Sequence, residues 1–165
     1  MSVPGLRVRA ANAADLAGVI ALERGAVEAP HWSETEYAAI VRNRGEAEGA
    51  VRRCLVVAEA DEKLLGFAVG KVILLAAERV GELESVAVDE MARRRGVGRS
   101  LCEAVVDWSR RQGATEIELE VRAGSAGAIA LYGGLGFVVV GRRGSYYRDP
   151  DEDAVLMQLK LAEGK

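Results

Sequence analysis

Hydrophobic and polar positions change their period several times along the chain, and each change marks an element. Leu6 to Ala10 alternates apolar and basic residues, the signature of a half-buried strand. Asn12, with Asp15 three positions on, reads as a helix start with a favourably charged first turn. Leu16, Val19, Ile20 and Leu22 continue it as an apolar stripe that Gly25 and Pro30 stop. A second helix start follows, where Ser33 and Glu36 have capping-box spacing and Trp32 and Tyr37 the positions of a hydrophobic staple. From Arg53 the period shortens: Cys54 to Ala58 and Leu64 to Leu75 are rich in Val, Ile, Leu and Phe, and Asp61-Glu62-Lys63 between them predicts a hairpin. Gly81 to Asp89 predicts another strand, after which Val97, Leu101, Val105 and Trp108 recur at helical spacing up to Gly113. Ile117, Leu119 and Val121 mark a strand, and Ser125 is placed to cap a short helix through Leu135, with Gly136 at a left-handed exit. Phe137 to Val140 and Ala154 to Lys160 supply the last two strands. The order β-α-α-β-β-β-α-β-α-β-β, without repeat or linker, predicts a mixed sheet with helices on its faces.

Composition narrows the function classes. With 165 residues, half of them hydrophobic, the chain has the size of one domain, 1–165, with a sizeable core, which excludes a disordered or fibrous protein. A formal net charge of −3 gives no overall positive field for a nucleic-acid backbone. Cys54 and Cys102 read as two free thiols of a reducing cytosol, and His31, the only histidine, leaves no material for a His-based zinc site or a Ser/His/Asp triad. The longest apolar run, Val72 to Ala77, falls far short of the roughly 20 residues that cross a bilayer, and the first residues lack a signal-peptide core. The expectation is a soluble cytoplasmic protein without metal, membrane or nucleic-acid partner.

The segment Arg93-Arg94-Arg95-Gly96-Val97-Gly98-Arg99 lies between a strand and a helix, where α/β folds hold phosphates. Gly96 and Gly98 let the backbone approach an anion, the first helical N–H groups have no intrahelical partner, and the arginines add forked donors. The segment is neither a Walker A loop, since no Gly-Lys-Ser/Thr follows, nor a dinucleotide fingerprint, since Leu101 stands where its third glycine would be. The same letters also describe a glycine-softened turn with a solvated basic face.

Arg93-x-x-Gly96-x-Gly98, preceded by Val86-Ala87-Val88-Asp89, resembles the acetyl-CoA-binding motif of the GNAT N-acetyltransferases. Leu119-Glu120-Val121-Arg122, Ala128-Ile129-Ala130-Leu131-Tyr132 and Leu135-Gly136-Phe137 resemble the second half of that family. His31-Trp32-Ser33, Arg142-Arg143-x-x-Tyr146-Tyr147 and Glu152-Asp153-Ala154 are similar to its ribosomal-protein-alanine N-acetyltransferase (RimI-type) branch, and the likeness runs over about residues 6 to 160. The resemblance implies a single GNAT-like α/β (α+β) domain with a mostly antiparallel central sheet, and acetyl-CoA as co-substrate. It implies that the strand carrying Val86, Ala87 and Val88 splays from its neighbour and offers its amides to the pantetheine arm. It places Arg94, Arg95, Gly96, Val97, Gly98 and Arg99 at the diphosphate and Ser125 beside the cofactor. Two departures stand out: the family usually carries Asn near the start of the last helix, where this chain has Gly124-Ser125, and Gly133-Gly134 follow Tyr132.

Moving an acetyl group from a thioester to an amine needs a neutral amine, a polarised carbonyl and a proton donor for the departing thiolate. A peptide α-amine titrates at about 7.7–8.0, so a modest carboxylate suffices as acceptor. The resemblance assigns that task to Glu120, through water, and the alternative is a strand carboxylate paired with Arg122 or Arg99. It assigns the proton donor to Tyr132, whose phenol, with an ordinary pKa of about 10, holds its proton at neutrality. The alternative is a core tyrosine packed with Ile129 and Leu135. Glu82 and Glu84, on the strand near the acetyl group, rank below Glu120 as amine binders or alternative bases. Trp32, Tyr146 and Tyr147 are expected at the acceptor, the two tyrosines in a loop that runs through the acidic stretch Asp149 to Asp153 and covers a peptide N-terminus, or forms a solvated hairpin loop. The RimI-like pieces favour a protein N-terminus as acceptor, including one of a ribosomal protein. A small-molecule amine and an acyl-CoA-binding module without turnover are the alternatives.

Overall fold

A computed structural model describes residues 2–25, 32–43, 50–75, 77–147 and 151–161. Strand β1 (Arg7–Ala10) enters α1 (Leu16–Gly25) through a single 3-10 turn that Asn12 and Asp15 cap reciprocally. Arg9 locks that turn with two hydrogen bonds to Asp15, 2.8 and 2.9 Å long. Helix α2 (Glu34–Asn43) starts at the expected capping box, where the Ser33 N–H donates to Glu36 (3.0 Å) and the Glu36 N–H to the Ser33 hydroxyl (3.2 Å). Trp32 and Tyr37 form the staple, with ring centroids 5.6 Å apart. The buried Glu23 carboxylate of α1 accepts from the Trp32 N–H and the Tyr37 hydroxyl, and so fixes how α2 leaves α1. Pro30 and His31, expected at this junction, lie outside the described residues.

Strands β2 (Val51–Ala60), β3 (Lys63–Leu75) and β4 (Glu78–Val88) form an antiparallel meander. Helix α3 (Val97–Arg111) crosses to β5 (Glu116–Arg122), and α4 (Ala126–Gly134) leads through Gly136, at φ +104°, to β6 (Val138–Tyr147) and β7 (Glu152–Lys160). The seven strands lie in the order β1-β2-β3-β4-β5-β7-β6, and only β4 and β5 run parallel. This is the mixed, mostly antiparallel sheet expected, in the expected element order.

Both faces of the sheet centre are dry because β2 and β3 are apolar at almost every position. Val56, Ala58, Ala68 and Val72 face α3 and its Leu101, Val105 and Trp108, while Leu55, Val57, Phe67 and Val69 face Val19 of α1 and Tyr37 and Ile40 of α2. One element differs from expectation. Strand β6 does not stop at Val140 but continues to Tyr147, pairing Arg142 with Val155, Arg143 with Ala154 and Tyr147 with Glu152. Two register shifts and the exposure of this edge strand, with Val138 60% and Val140 55% accessible, remove the alternation that would have marked it.

Candidate active site

Strands β4 and β5 pair at Val80–Glu116, Gly81–Ile117 and Glu82–Glu118, and there the pairing ends. Beyond it β4 stays with β3 as far as Val88–Gly66, and β5 stays with β7 as far as Arg122–Ala154, so a gap opens inside the sheet. The bend comes from a bulge: Val69 pairs with Ser85 and Gly70 with Leu83, leaving Glu84 as the extra residue. The bulge also resets the alternation, because Leu83, Val86 and Val88 all pack toward α3 while Ala87 joins the core beneath α1 and α2. The resulting cleft holds about 950 Å³, with Leu83–Val88 on one wall and Leu119–Arg122 on the other. That size suits a cofactor-sized ligand. The Ser85 hydroxyl is buried in this wall without a hydrogen-bond partner among the described residues.

The start of α3 closes one end of the cleft. Arg94 (φ +61°) and Gly96 (φ +83°) take left-handed conformations and turn the chain so that Gly96 becomes the N-cap. The first helical bond runs from the Ser100 N–H to the Gly96 carbonyl (3.0 Å), so the amides of Val97, Gly98 and Arg99 have no acceptor within the helix. A Cβ on Gly96 would meet nothing within 4 Å, and on Gly98 it would touch Leu131 of α4 at 3.4 Å. Arg93, Arg94 and Arg99 line the same end, with the Arg93 Nε donating to the Val88 carbonyl at 3.2 Å. Amides, positive helix terminus and guanidinium groups together make an anion cradle. The small residues Gly124 to Ala128 bring α4 to the cleft, and Glu152 holds that turn by accepting the Gly124 N–H (2.5 Å).

Glu120 and Tyr132 both face this cleft. Glu120, 28% accessible, has Arg143 of β6 at 3.7 Å, and interaction with its carboxylate raises the Tyr146 phenol above its ordinary range. The partners foreseen for Glu120 are engaged elsewhere, Arg122 with Glu152 (3.5 Å) and Arg99 with Glu103 (3.3 Å). Tyr132 is half-buried, packs on Phe137 with centroids 6.0 Å apart and rests on the α3-side core, so packing and lining coincide in one residue.

Of the other foreseen site residues, Val86, Ala87, Val88, Arg94, Gly96, Gly98, Arg99, Ser125 and Tyr147 line the cleft. Val97 does not line it, because its side chain is buried in the core. Arg95 is half-buried and does not line the cleft; it follows Arg94, whose φ of +61° turns the chain there. Glu82 also lies outside it, paired with Lys71 (3.1 Å), and Glu84, although in the wall, is held by Lys71 (3.0 Å) and Arg53 (3.3 Å). These internal pairs make both carboxylates poor candidates for a free base. Trp32 lies outside the cleft as well. It lines a separate hollow of about 500 Å³ with Ile40, Val51 and Arg53, whose guanidinium stacks 5.9 Å from its ring. Tyr146 and Tyr147 are in strand β6 rather than a loop, and Glu152 and Asp153 in β7. Asp149 lies outside the described residues. The sequence reading left Ser85 and Gly127 without a site role, and the run of small residues Gly124 to Ala128 was the one signal for Gly127.

The fold has counterparts among known proteins. The model of the acetyltransferase (GNAT) family matches residues 19–137. The chain is 36% identical over 150 residues to the Escherichia coli protein named [ribosomal protein bS18]-alanine N-acetyltransferase, covering 90% of this chain and 93% of that one. It is 32% identical over 164 residues to an N-alpha-acetyltransferase of Sulfurisphaera tokodaii, covering 94% and 93%. The crystal structure of the ribosomal-protein-S18-alanine N-acetyltransferase from Escherichia coli superposes with a TM-score of 0.75 at 29% identity, over 97% of this chain and 96% of that one. The chain belongs to the acetyltransferase (GNAT) family.

Proposed function

We propose that this protein transfers the acetyl group of acetyl-CoA to the N-terminal α-amine of a protein, of the ribosomal-protein-alanine type, in the cytoplasm. The observation that carries the reading is that Glu120 and Tyr132 face the same gap in the sheet that the glycine-arginine cradle closes. The likeness to the bS18-alanine enzyme, which extends over nine-tenths of the chain, supports the acceptor. The residues fit the cofactor: the free amides of Val97, Gly98 and Arg99 with Arg93, Arg94 and Arg99 suit a diphosphate, and the cleft-facing edge of Val86 to Val88 suits an extended amide-bearing arm. Ser125 adds a short hydroxyl where an amide is usual, and the unpartnered Ser85 hydroxyl adds a second polar contact.

Acetyl-CoA, when bound, supplies the acetyl group as an activated thioester. Glu120 accepts the proton of the incoming ammonium, directly or through one water, and so frees the lone pair that forms the new C–N bond. Tyr132 would give its hydroxyl proton to the sulfur as the C–S bond breaks, and the second proton that the nitrogen sheds on becoming an amide would return to the phenol through solvent. Tyr147, which stands at the same cleft, contacts the acceptor. Mass spectrometry of ribosomal-protein N-terminal peptides, internal-lysine peptides and small amines incubated with enzyme and acetyl-CoA tests the reading. Acetyl is expected on α-amines alone. Tyr132→Phe should lower kcat by about 10²- to 10⁴-fold with cofactor affinity intact. Acetylation of small amines only would overturn the acceptor, and undiminished turnover in Tyr132→Phe would overturn its role.

A further inference from the structure

Strand β6 carries Gly144, Ser145 and Tyr146 between Arg143–Ala154 and Tyr147–Glu152, opposite the single residue Asp153 of β7. In a regular strand Arg143 and Tyr146, three apart, would point to opposite faces of the sheet. Here they share one side: Arg143 lies 3.7 Å from the Glu120 carboxylate, its guanidinium stacks 5.3 Å from the Tyr146 ring, and that carboxylate raises the Tyr146 phenol. The reversal is made at Ser145, which takes φ +50°, a conformation a non-glycine residue holds only under constraint. Asp153 provides the constraint. One of its oxygens accepts the Ser145 N–H at 2.9 Å and the other the Arg142 Nε at 2.8 Å, so a single carboxylate spans the bulge.

We propose that Asp153 is a positioning residue for the proton acceptor: by pinning the bulge of β6 it holds Arg143 and Tyr146 around the Glu120 carboxylate. The inference rests on the reading of Glu120 as that acceptor. Asp153 itself touches neither cofactor nor acceptor, and acts by fixing which way two neighbours face.

Steady-state kinetics with an acceptor peptide, on Glu120→Gln, Tyr146→Phe, Asp153→Ala, Asp153→Asn and the double variant Asp153→Ala/Tyr146→Phe, test it. Asp153→Ala is expected to lower kcat by about 10- to 100-fold, the cost of a misplaced catalytic group, with KM for the peptide changed by less than about twofold. Asp153→Asn, which keeps an oxygen for the Ser145 N–H, should recover most of the loss. The double variant should fall little below the lower single one, because both remove the same arrangement. Should Asp153→Ala fold poorly, adding Ser145→Gly, which adopts the left-handed turn without help, should restore both yield and kcat. Normal kcat in Asp153→Ala beside a collapsed Glu120→Gln, or a rise in KM alone, would overturn the proposal. Normal kcat in Glu120→Gln would instead remove the reading beneath it.

Discussion

Strands β4 and β5 behave in two ways within a few residues. From Val80 to Glu82 they are joined tightly enough that a Cβ on Gly81 would lie 3.3 Å from both the Glu116 carbonyl and the Ser109 hydroxyl. From Leu83 onward they enclose a cleft of about 950 Å³. In the joined part Gly81 and the buried Ile117 lie beneath α3, and they serve stability. The parted part has a buried hydroxyl without a partner among the described residues, three amides with no acceptor within their helix and a carboxylate beside Arg143 of another strand. A single bulge at Glu84 separates the two regimes. The proposed site thus occupies the length of strand where the ladder is withheld, and the adjoining ladder borders the opening.

Substitutions on either side of that boundary should have opposite signatures. In the parted half, Gly96→Val sets a β-branched residue at φ +83° where the cradle turns. Strain of about 1–3 kcal/mol at such a position should weaken acetyl-CoA by about 5- to 150-fold in calorimetric titration, and an unchanged Kd would remove the cradle from the binding site. In the joined half, Gly81→Ala should lower unfolding free energy by about 1 kcal/mol, the low end of overpacking, while the folded protein keeps its acetyl-CoA affinity. Loss of affinity without loss of stability there would erase the distinction.

The smallest effect concerns the ion pairs at the boundary. Burial lowers the Lys71 ammonium, but the carboxylates of Glu84 and Glu82 outweigh it, and the net pKa is raised. A raised lysine pKa stabilises the folded state fully below the unfolded value of about 10.4, and that contribution fades as pH rises through the folded value. Urea midpoints of the native protein and Lys71→Gln, compared between about pH 9 and 12, should therefore converge on the alkaline side. A difference that widens with pH would contradict the pairing.

The same boundary separates what could be read from the letters from what could not. The cradle is built from contiguous backbone, so Gly96, Gly98 and the helix that starts at Val97 announce it locally. Elements with a dry face were equally plain, as at Val97, Leu101, Val105 and Trp108. The parting of β4 from β5 depends on one inserted residue within Leu83-Glu84-Ser85-Val86, and a period-2 pattern tolerates that insertion without visible break. The partners of Glu120 come from Arg143 and Tyr146, more than twenty residues away on a strand whose exposed valines and two register shifts conceal it. Glu82 and Glu84 looked available because Lys71 and Arg53, which occupy them, belong to other strands. Long-range charge pairing leaves no local trace, and it decided most of the acceptor side.

The opening in the sheet also changes how many margins the sheet has. A continuous seven-stranded sheet ends twice, at β1 and β6, whereas this one also bares the inner borders of β4 and β5, each with unspent backbone donors and acceptors. Such borders are templates for stray strands. A ligand lying between them acts as an eighth strand that is not peptide, and at 100 times its Kd it adds about 2.7 kcal/mol to the native state. The protein's resistance to unfolding should thereby rise with the supply of its acyl donor.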